Sequence, residues 1–385
     1  MRFADNRNKI GKYIPAVVFL IFIYGMALWF IFSPKPDYSS SEKRYLQKFP
    51  EVTAEKLLSG DFGSEFETFF ADRFPQRNTW VGLNAYTALA VGNNGASGVY
   101  NCKNGYLINK PVSTENNLDK NIGAVADFAK SIDTPTTVML VPSTGYIVDD
   151  VLPTFHDKYN DDEDISKISS TLSKDKIGFV DLRERFKSEY KNGSQLYYKT
   201  DHHWTTKGAY TGYQELCKAL GITPIDDSIL KKDSYPDFYG TTYSSSGFWL
   251  TPPDNIEIWN NPKNSDRNIS VKITEGANIK TSGSMYFTDH LKEDDKYPVF
   301  IDGNHALTEI TNTNAKNGTI LLIKDSFSHS LAPFLAENYS KVVLVDLRYY
   351  KESVSDLVTT YNPEQVVVLY GIDNLATDTD IVWLK

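Results

Sequence analysis

The stretch from Tyr13 to Phe32, YIPAVVFLIFIYGMALWFIF, carries no charged residue. About 20 mostly apolar residues at a helical rise of 1.5 Å match a hydrocarbon core of roughly 30 Å, so it predicts a membrane-spanning helix. Tyr13, Trp29 and Phe32 stand near its ends, where aromatic rings favour the interface. Arg2, Arg7, Lys9 and Lys12 precede it against one acid, Asp5, which predicts a cytoplasmic N-terminus and a C-terminal domain outside the cell. A cleaved signal peptide is the competing reading. Its apolar region is usually shorter, about 7–15 residues, and ends at a small-x-small site, for which SPKPDYSSS offers no good match. The expected organisation is a cytoplasmic tip at 1–12, an anchor at 13–33, a short tether at 34–45 and an extracellular domain at 46–385.

A mean hydropathy of −0.37 conceals this segment by averaging. With 41% hydrophobic and 23% charged residues, the rest of the 385-residue chain can bury a large core, which excludes a disordered or coiled-coil protein. The formal charge of −9 repels polyanions and argues against nucleic-acid binding. Cys102 and Cys217 are too few for a disulfide scaffold or a Cys/His zinc site, and nothing in the sequence pairs them.

Between residues 42 and 92, aromatic residues at three- and four-residue spacings (Phe66, Phe69 and Phe70, then Trp80, Leu83 and Tyr86) predict two short helices. GVYNCKNGYLI then reads as a hairpin. Beyond it, helical periods at 118–131, 165–172, 206–220, 328–337 and 353–361 alternate with apolar runs of strand length. The runs are TTVMLVP, IGFVDL, PVFI, TILLI, KVVLVD and QVVVLY. Such alternation predicts an α/β domain, a doubly wound, mostly parallel sheet covered on both faces. A long interruption at 222–311, rich in Tyr, Ser, Asn, Pro and Trp, is expected as a β/loop insertion, either a carbohydrate-holding surface or ordinary packing.

Two places carry chemistry. In YYKTDHHWTTKGAY, Asp201 and His203 are two apart; on an extended loop they point the same way, with His202 facing elsewhere. A carboxylate beside an imidazole fixes its tautomer and stabilises the imidazolium, as a general base requires. A structural hydrogen bond or a metal site involving His202 explains the triplet as well. In TILLIKDSFSHSLAPFL, a strand runs into Asp325 and Ser326 before a helix, which puts Ser326 at the carboxyl end of the sheet, where open α/β folds bind ligands. Helix N-terminal N–H groups there favour a developing oxyanion; an ordinary N-cap is the competing role. Together, an Asp/His pair and a serine at a strand end are the parts needed to activate a hydroxyl at neutral pH.

TDHHWTTKGAY followed downstream by KDSFSHS, VDLRYY and LYGIDN resembles the DHHW family. That family is similar in turn to the SGNH-hydrolase-like O-acetyltransferases of alginate and other exopolysaccharide systems. The resemblance implies an SGNH-like fold with Asp201, His203 and Ser326 as a catalytic set that carries acetyl on the serine. Lys324 stands where SGNH enzymes have Gly, a residue with freedoms Lys lacks, and Asp325 becomes a turn residue. Asn374 follows the last strand, where an amide could donate to the oxyanion as the Asn of SGNH enzymes does, or form a turn. Arg348 and Tyr349 follow another strand end and could line the same edge, Arg348 binding an anionic group or forming a surface salt bridge. His329 shares the helical face of Ser326 and is expected at the rim of the site.

The function these residues suggest is a membrane-anchored extracellular O-acetyltransferase acting on a cell-surface or secreted polysaccharide. No cofactor is expected, because the acetyl group would be supplied by a partner, and no metal, because no further ligand motif accompanies Asp201, His202 and His203. By resemblance that partner is an MBOAT-type membrane acyltransferase. An acetyl-esterase using the same site, and a non-catalytic polysaccharide-binding or scaffold subunit, are the alternatives.

Overall fold

A computed structural model describes residues 2–113 and 117–384. The chain divides into two compact units, Met1–Tyr86 and Thr87–Lys385, so residues 46–86 group with the N-terminal helix and not with the large domain expected to begin at 46.

In the first unit, α1 (Arg2–Phe32) is a single helix whose Tyr13–Phe32 portion has the length and apolarity of a bilayer span, properties that a secretion signal shares. Three helices follow where two were expected: α2 (Ala54–Ser59), α3 (Asp61–Asp72) and α4 (Arg77–Ala90), whose last four residues belong to the second unit. Gly60 separates α2 from α3 because it adopts φ 88°, a left-handed conformation that ends one helix and admits the next. The 34–45 segment is more than a tether. It contains a small antiparallel ribbon, Tyr38–Ser39 with Arg44–Tyr45, and Arg44 pairs with the buried Asp72 of α3.

In the second unit, the expected hairpin forms between Val99–Asn101 and Leu107–Asn109. The strands that follow are β1 (Thr136–Val141), β2 (Gly178–Asp181), β3 (Lys231–Phe238), β4 (Asp254–Asn260), β5 (Ile269–Glu275), β6 (Asn278–Ser282), β7 (Leu307–Asn312), β8 (Asn317–Lys324), β9 (Tyr339–Val345) and β10 (Gln365–Gly371). Eight of them make one sheet in the order β6-β5-β7-β9-β8-β10-β1-β2. The run β9-β8-β10-β1-β2 is parallel, and β7, β5 and β6 add to its edge antiparallel.

The parallel strands read as unbroken apolar runs because both faces are covered. Successive side chains alternate between faces, so Met139, Leu322, Leu344 and Leu369 join one buried cluster while Val138, Leu321, Val343 and Val368 join another. The first face is covered by α8 (Thr206–Leu220) and α10 (Ser328–Leu335), through Tyr213 and Leu331 for example. The second is covered by α5 (Asn117–Ser131), α6 (Asp161–Lys174) and α11 (Val354–Tyr361), through Val125, Ile168 and Leu357. Two further helices are α7 (Arg183–Lys191) and α9 (Thr241–Ser246).

Two expectations are corrected. PVFI forms no sheet strand: Tyr297–Val299 is a 3-10 turn, and Phe300 makes one isolated bridge to Tyr286. Apolar content alone had suggested a strand, but Pro298 withholds a ladder donor, while Ile301 and Asp302 turn at positive φ. The 222–311 segment is also less separate than an insertion. Its β3–β4 ribbon stands apart as a two-stranded sheet, whereas β5, β6 and most of β7 extend the main sheet. Their alternating pattern, buried at Val271 and Ile273 and partly open at Lys272 and Thr274, is that of strands with one wetter face.

Candidate active site

Asp201 and His203 reach the site on a tight loop between α7 and α8. Tyr197 and Trp204 bridge across its base, and the Tyr198 N–H donates to the His203 carbonyl. The loop ends at the Thr205 cap of α8, whose hydroxyl accepts from Gly208 N–H at 3.1 Å. From the other side, β8 delivers Lys324, Asp325 and Ser326 to the carboxyl edge of the sheet. Asp325 holds the turn there: its Oδ1 accepts from Phe327 N–H (2.9 Å), and its Oδ2 from Gly371 N–H (2.8 Å) and Asn374 Nδ2 (2.7 Å).

These two loops meet across 123 residues. His203 Nε2 lies 2.6 Å from Ser326 Oγ, and His203 Nδ1 lies 2.5 Å from Asp201 Oδ1. An ionised carboxylate only accepts, so the proton belongs on Nδ1 and Nε2 is left to accept from the serine hydroxyl. All three side chains are buried. Burial alone would raise the Asp201 carboxyl, but the neighbouring imidazoles of His203 and His202, with hydrogen bonds from His203 and Thr241, hold it well below the ordinary carboxylate range. Thr241 supplies its N–H at 2.7 Å and its hydroxyl at 3.2 Å to Asp201 Oδ2. Gly240 permits this approach: a Cβ there would lie 2.1 Å from Asp201 Cβ.

The surroundings fix both partners. Trp204 Nε1 donates to the Phe327 carbonyl and to Ser330 Oγ, each at 2.9 Å, tying the histidine loop to the serine turn. The Tyr297 ring stacks on the His203 imidazole at 4.0 Å with the planes 9° apart, and its hydroxyl donates to the Ser326 carbonyl at 3.2 Å. Phe327 meets the same imidazole edge-on at 5.1 Å.

The other candidates stand as follows. His202 does not face elsewhere as an extended loop predicted: the loop is a tight turn, so His202 hydrogen-bonds Thr241 Oγ1 at 2.6 Å and leans on His203, with ring centroids 3.8 Å apart; burial and the adjacent His203 imidazole push it down to about 3. With Phe327 and Asn374 it lines a narrow cleft of about 50 Å³. Asn374 directs its amide to Asp325, buttressing the turn. Arg348 chelates Asp346 (Nε–Oδ1 2.9 Å, Nη2–Oδ2 2.6 Å) and reaches Asn304, while Tyr349 is exposed beside it. His329 is not at a rim but fully buried, its Nε2 facing the Lys324 ammonium at 2.8 Å. One ligand atom each from Asp201, His202 and His203 lies within 4.8 Å of the others, a spacing able to hold a cation, but both His203 nitrogens already have partners.

Tyr297, Thr241 and Trp204 had no assigned role in the sequence. The first two lie in the 222–311 segment, where no local signal marks them. Trp204 is part of the motif itself, and its size beside two histidines was the available clue. Cys102 and Cys217 are buried free thiols, each pushed up to about 12 by burial.

The DHHW protein family profile matches residues 104–345. Among solved structures, the chain is similar to a DHHW family protein from Eubacterium siraeum, with a TM-score of 0.63 and 17% identity over 75% of this chain and 95% of that one. It is similar also to PatB1 from Bacillus cereus, solved with a sulfonyl adduct, with a TM-score of 0.61 and 20% identity over 74% of this chain and 97% of that one. No curated protein matches the chain significantly.

Proposed function

The chain belongs to the DHHW protein family, and from that membership and the geometry of the buried triad we propose that it is an O-acetyltransferase. It is anchored by α1 with its C-terminal unit outside the cell, and it moves acetyl groups through Ser326 onto polysaccharide hydroxyls. The observation that carries this reading is the continuous chain Asp201–His203–Ser326, 2.5 Å and 2.6 Å link by link, with all three side chains buried.

In the proposed reaction the Ser326 hydroxyl attacks the carbonyl of an acetyl donor while its proton passes to His203 Nε2. The resulting imidazolium is stabilised by Asp201. Collapse of the tetrahedral intermediate expels the donor's leaving group, which takes that proton, and leaves acetyl-Ser326. A sugar hydroxyl then attacks the acyl-serine, giving its proton to His203, which returns it to Ser326 Oγ as the acetylated sugar departs. Acetyl-CoA is cytoplasmic, so an external site needs a membrane partner of the MBOAT type to deliver acetyl, and α1 would keep the two together. No cofactor enters any of these steps.

The test uses the full-length protein in detergent with an activated acetyl ester. Ser326→Ala should abolish ester turnover, and mass spectrometry of the wild type should find acetyl on Ser326. Wild-type turnover by Ser326→Ala, with no adduct on the native serine, overturns Ser326 as the acyl carrier, and absence of both turnover and adduct in the wild type overturns the catalytic reading in favour of a binding subunit. Adding oligosaccharide separates transfer from hydrolysis: acetylated sugar supports the transferase, and acetate alone the esterase.

A further inference from the structure

We propose that α3 is an interfacial helix whose phenylalanine face lies in the outer surface of the lipid bilayer, so that the first unit is seated on the membrane as well as threaded through it. The inference rests on the reading of α1 as a retained span.

In α3 the phenylalanines fall at 62, 66, 69 and 70, a spacing that gathers them on one side of a helix, with Ser64 and Thr68 opposite. In a soluble protein such a face is buried in a core. Here the only buried residue of α3 is Asp72, and Phe66 and Phe70 are 41% and 43% exposed. Phe49, whose ring meets Phe66 and Phe69, is 58% exposed. Exposed rings in contact with one another make a contiguous apolar patch, which needs an occupant.

The occupant follows from what the patch touches. Phe30, two residues from the end of the span, meets Phe70 at 4.6 Å and Phe69 at 6.3 Å. At 1.5 Å per residue, Phe30 lies about 3 Å inside the outer end of an apolar segment that just matches the hydrocarbon thickness. Rings within one aromatic diameter of Phe30 therefore lie at the level where acyl chains give way to headgroups. Interfacial helices bury their apolar faces about 5–10 Å into that boundary.

The height of α3 is also fixed. Arg73, at its C-terminal cap, is buried and donates to the Lys35 carbonyl (2.7 Å), the Gln47 carbonyl (3.1 Å) and Asp37 (2.9 Å), just beyond the span. Lys35 lies over the Phe30 ring at 4.1 Å and donates to the Phe30 carbonyl, as a lysine at the headgroup level does. Charge contributes little, because α3 carries Asp61, Glu65, Glu67 and Asp72 without a lysine or arginine of its own. The seating is hydrophobic, so a zwitterionic surface suffices.

The test places a nitroxide on single cysteines introduced at exposed positions of the full-length protein, reconstituted in phosphatidylcholine vesicles. Its depth is read from relative collision with oxygen and with a water-soluble nickel chelate. Phe66→Cys and Phe49→Cys should favour oxygen by about tenfold relative to Ser64→Cys, the expectation for side chains several ångströms below the headgroups. If both read as aqueous, like Ser64→Cys, while Val18→Cys reads as lipid, the interfacial seating is wrong and the anchor stands. If both are shielded from either reagent, the face is covered by protein, and the lipid proposal is overturned. An aqueous Val18→Cys label, or loss of the N-terminal segment from the purified protein, removes the anchor reading itself and this inference with it.

Discussion

Lys324 Nζ lies 2.9 Å from Asp346 Oδ2 in an ion pair with almost no solvent access on either side. This explains how lysine is accommodated where a glycine was the expected companion of Asp-Ser. Among the described residues Lys324 is not one with positive φ, so the turn makes no use of glycine's freedom there. The side chain instead enters the core to meet Asp346 and His329. Burial pushes the ammonium below its ordinary range, against the pull of Asp346; the Asp346 carboxyl, raised by burial, is brought below its own range by Arg348 and Lys324. His329, buried beside that cation, is held well below its ordinary value and is neutral.

Removing one partner of this pair should cost more than removing both. Lys324→Met leaves Asp346 with Arg348 alone and is expected to destabilise by about 3–5 kcal/mol. Lys324→Met with Asp346→Leu should recover part of the loss. Denaturant titration of the two single variants and the double variant measures the coupling, and strictly additive losses would contradict it.

Asp201→Asn keeps the shape of the triad but disfavours the Nδ1–H tautomer of His203. Activity on an acetyl ester should fall by about 10³–10⁴-fold, as in triads of this type, with little change in melting temperature. A loss below tenfold would mean that Asp201 does not orient the imidazole.

Gly240→Ala tests the same carboxylate from behind. The added methyl would overlap Asp201 Cβ and Oδ2, so the carboxylate must shift off His203. Overpacking of this kind costs about 1–3 kcal/mol, and activity should fall together with stability. Wild-type turnover in Gly240→Ala would show that the loop has slack.

The pH dependence of stability should come from a different pair. Asp161 and Asp373 share Ser143, whose N–H donates to Asp161 and whose hydroxyl donates to Asp373. Burial, then the Asp373 charge, raises the Asp161 carboxyl to about 7, and burial raises Asp373 to about 6. A raised carboxyl keeps its proton in the folded state after the unfolded chain has lost it near pH 4. Stability from this pair is therefore full at low pH and declines as pH rises to about 7, by up to about 1.4 kcal/mol per pH unit per proton. Asp161→Asn should flatten that slope between pH 5 and 7, read by thermal melts across the range. An unchanged slope would exclude the pair as its source.

The site was half legible in the sequence. Asp201 and His203 could be paired because they stand two residues apart in one short loop, a local fact, although that loop is a tight turn and not extended, and Ser326 could be placed because a strand leading into a helix ends at the sheet edge. The burial of His329 could not be read, because its position three after Ser326 describes a helix face and says nothing of what covers it. Asn374 shows the same limit: its place after the last strand is local, whereas its choice of Asp325 as partner depends on how two strand ends align.

Local pattern alone determined the apolar span, the parallel strands and the bounds of α8, whose Thr205 cap and Gly221 stop fall where residue chemistry puts them. These properties depend on backbone conformation and on whether a face is buried, and periodicity encodes both. Tertiary structure decided which buried faces meet. It joined His203 to Ser326 across 123 residues, stacked Tyr297 on the imidazole and turned Lys324 toward Asp346. It also extended the main sheet with strands from a segment whose pattern reads as a separate β/loop insertion. Those outcomes rest on long-range packing, where the energy of a contact depends on a partner that sequence spacing does not name.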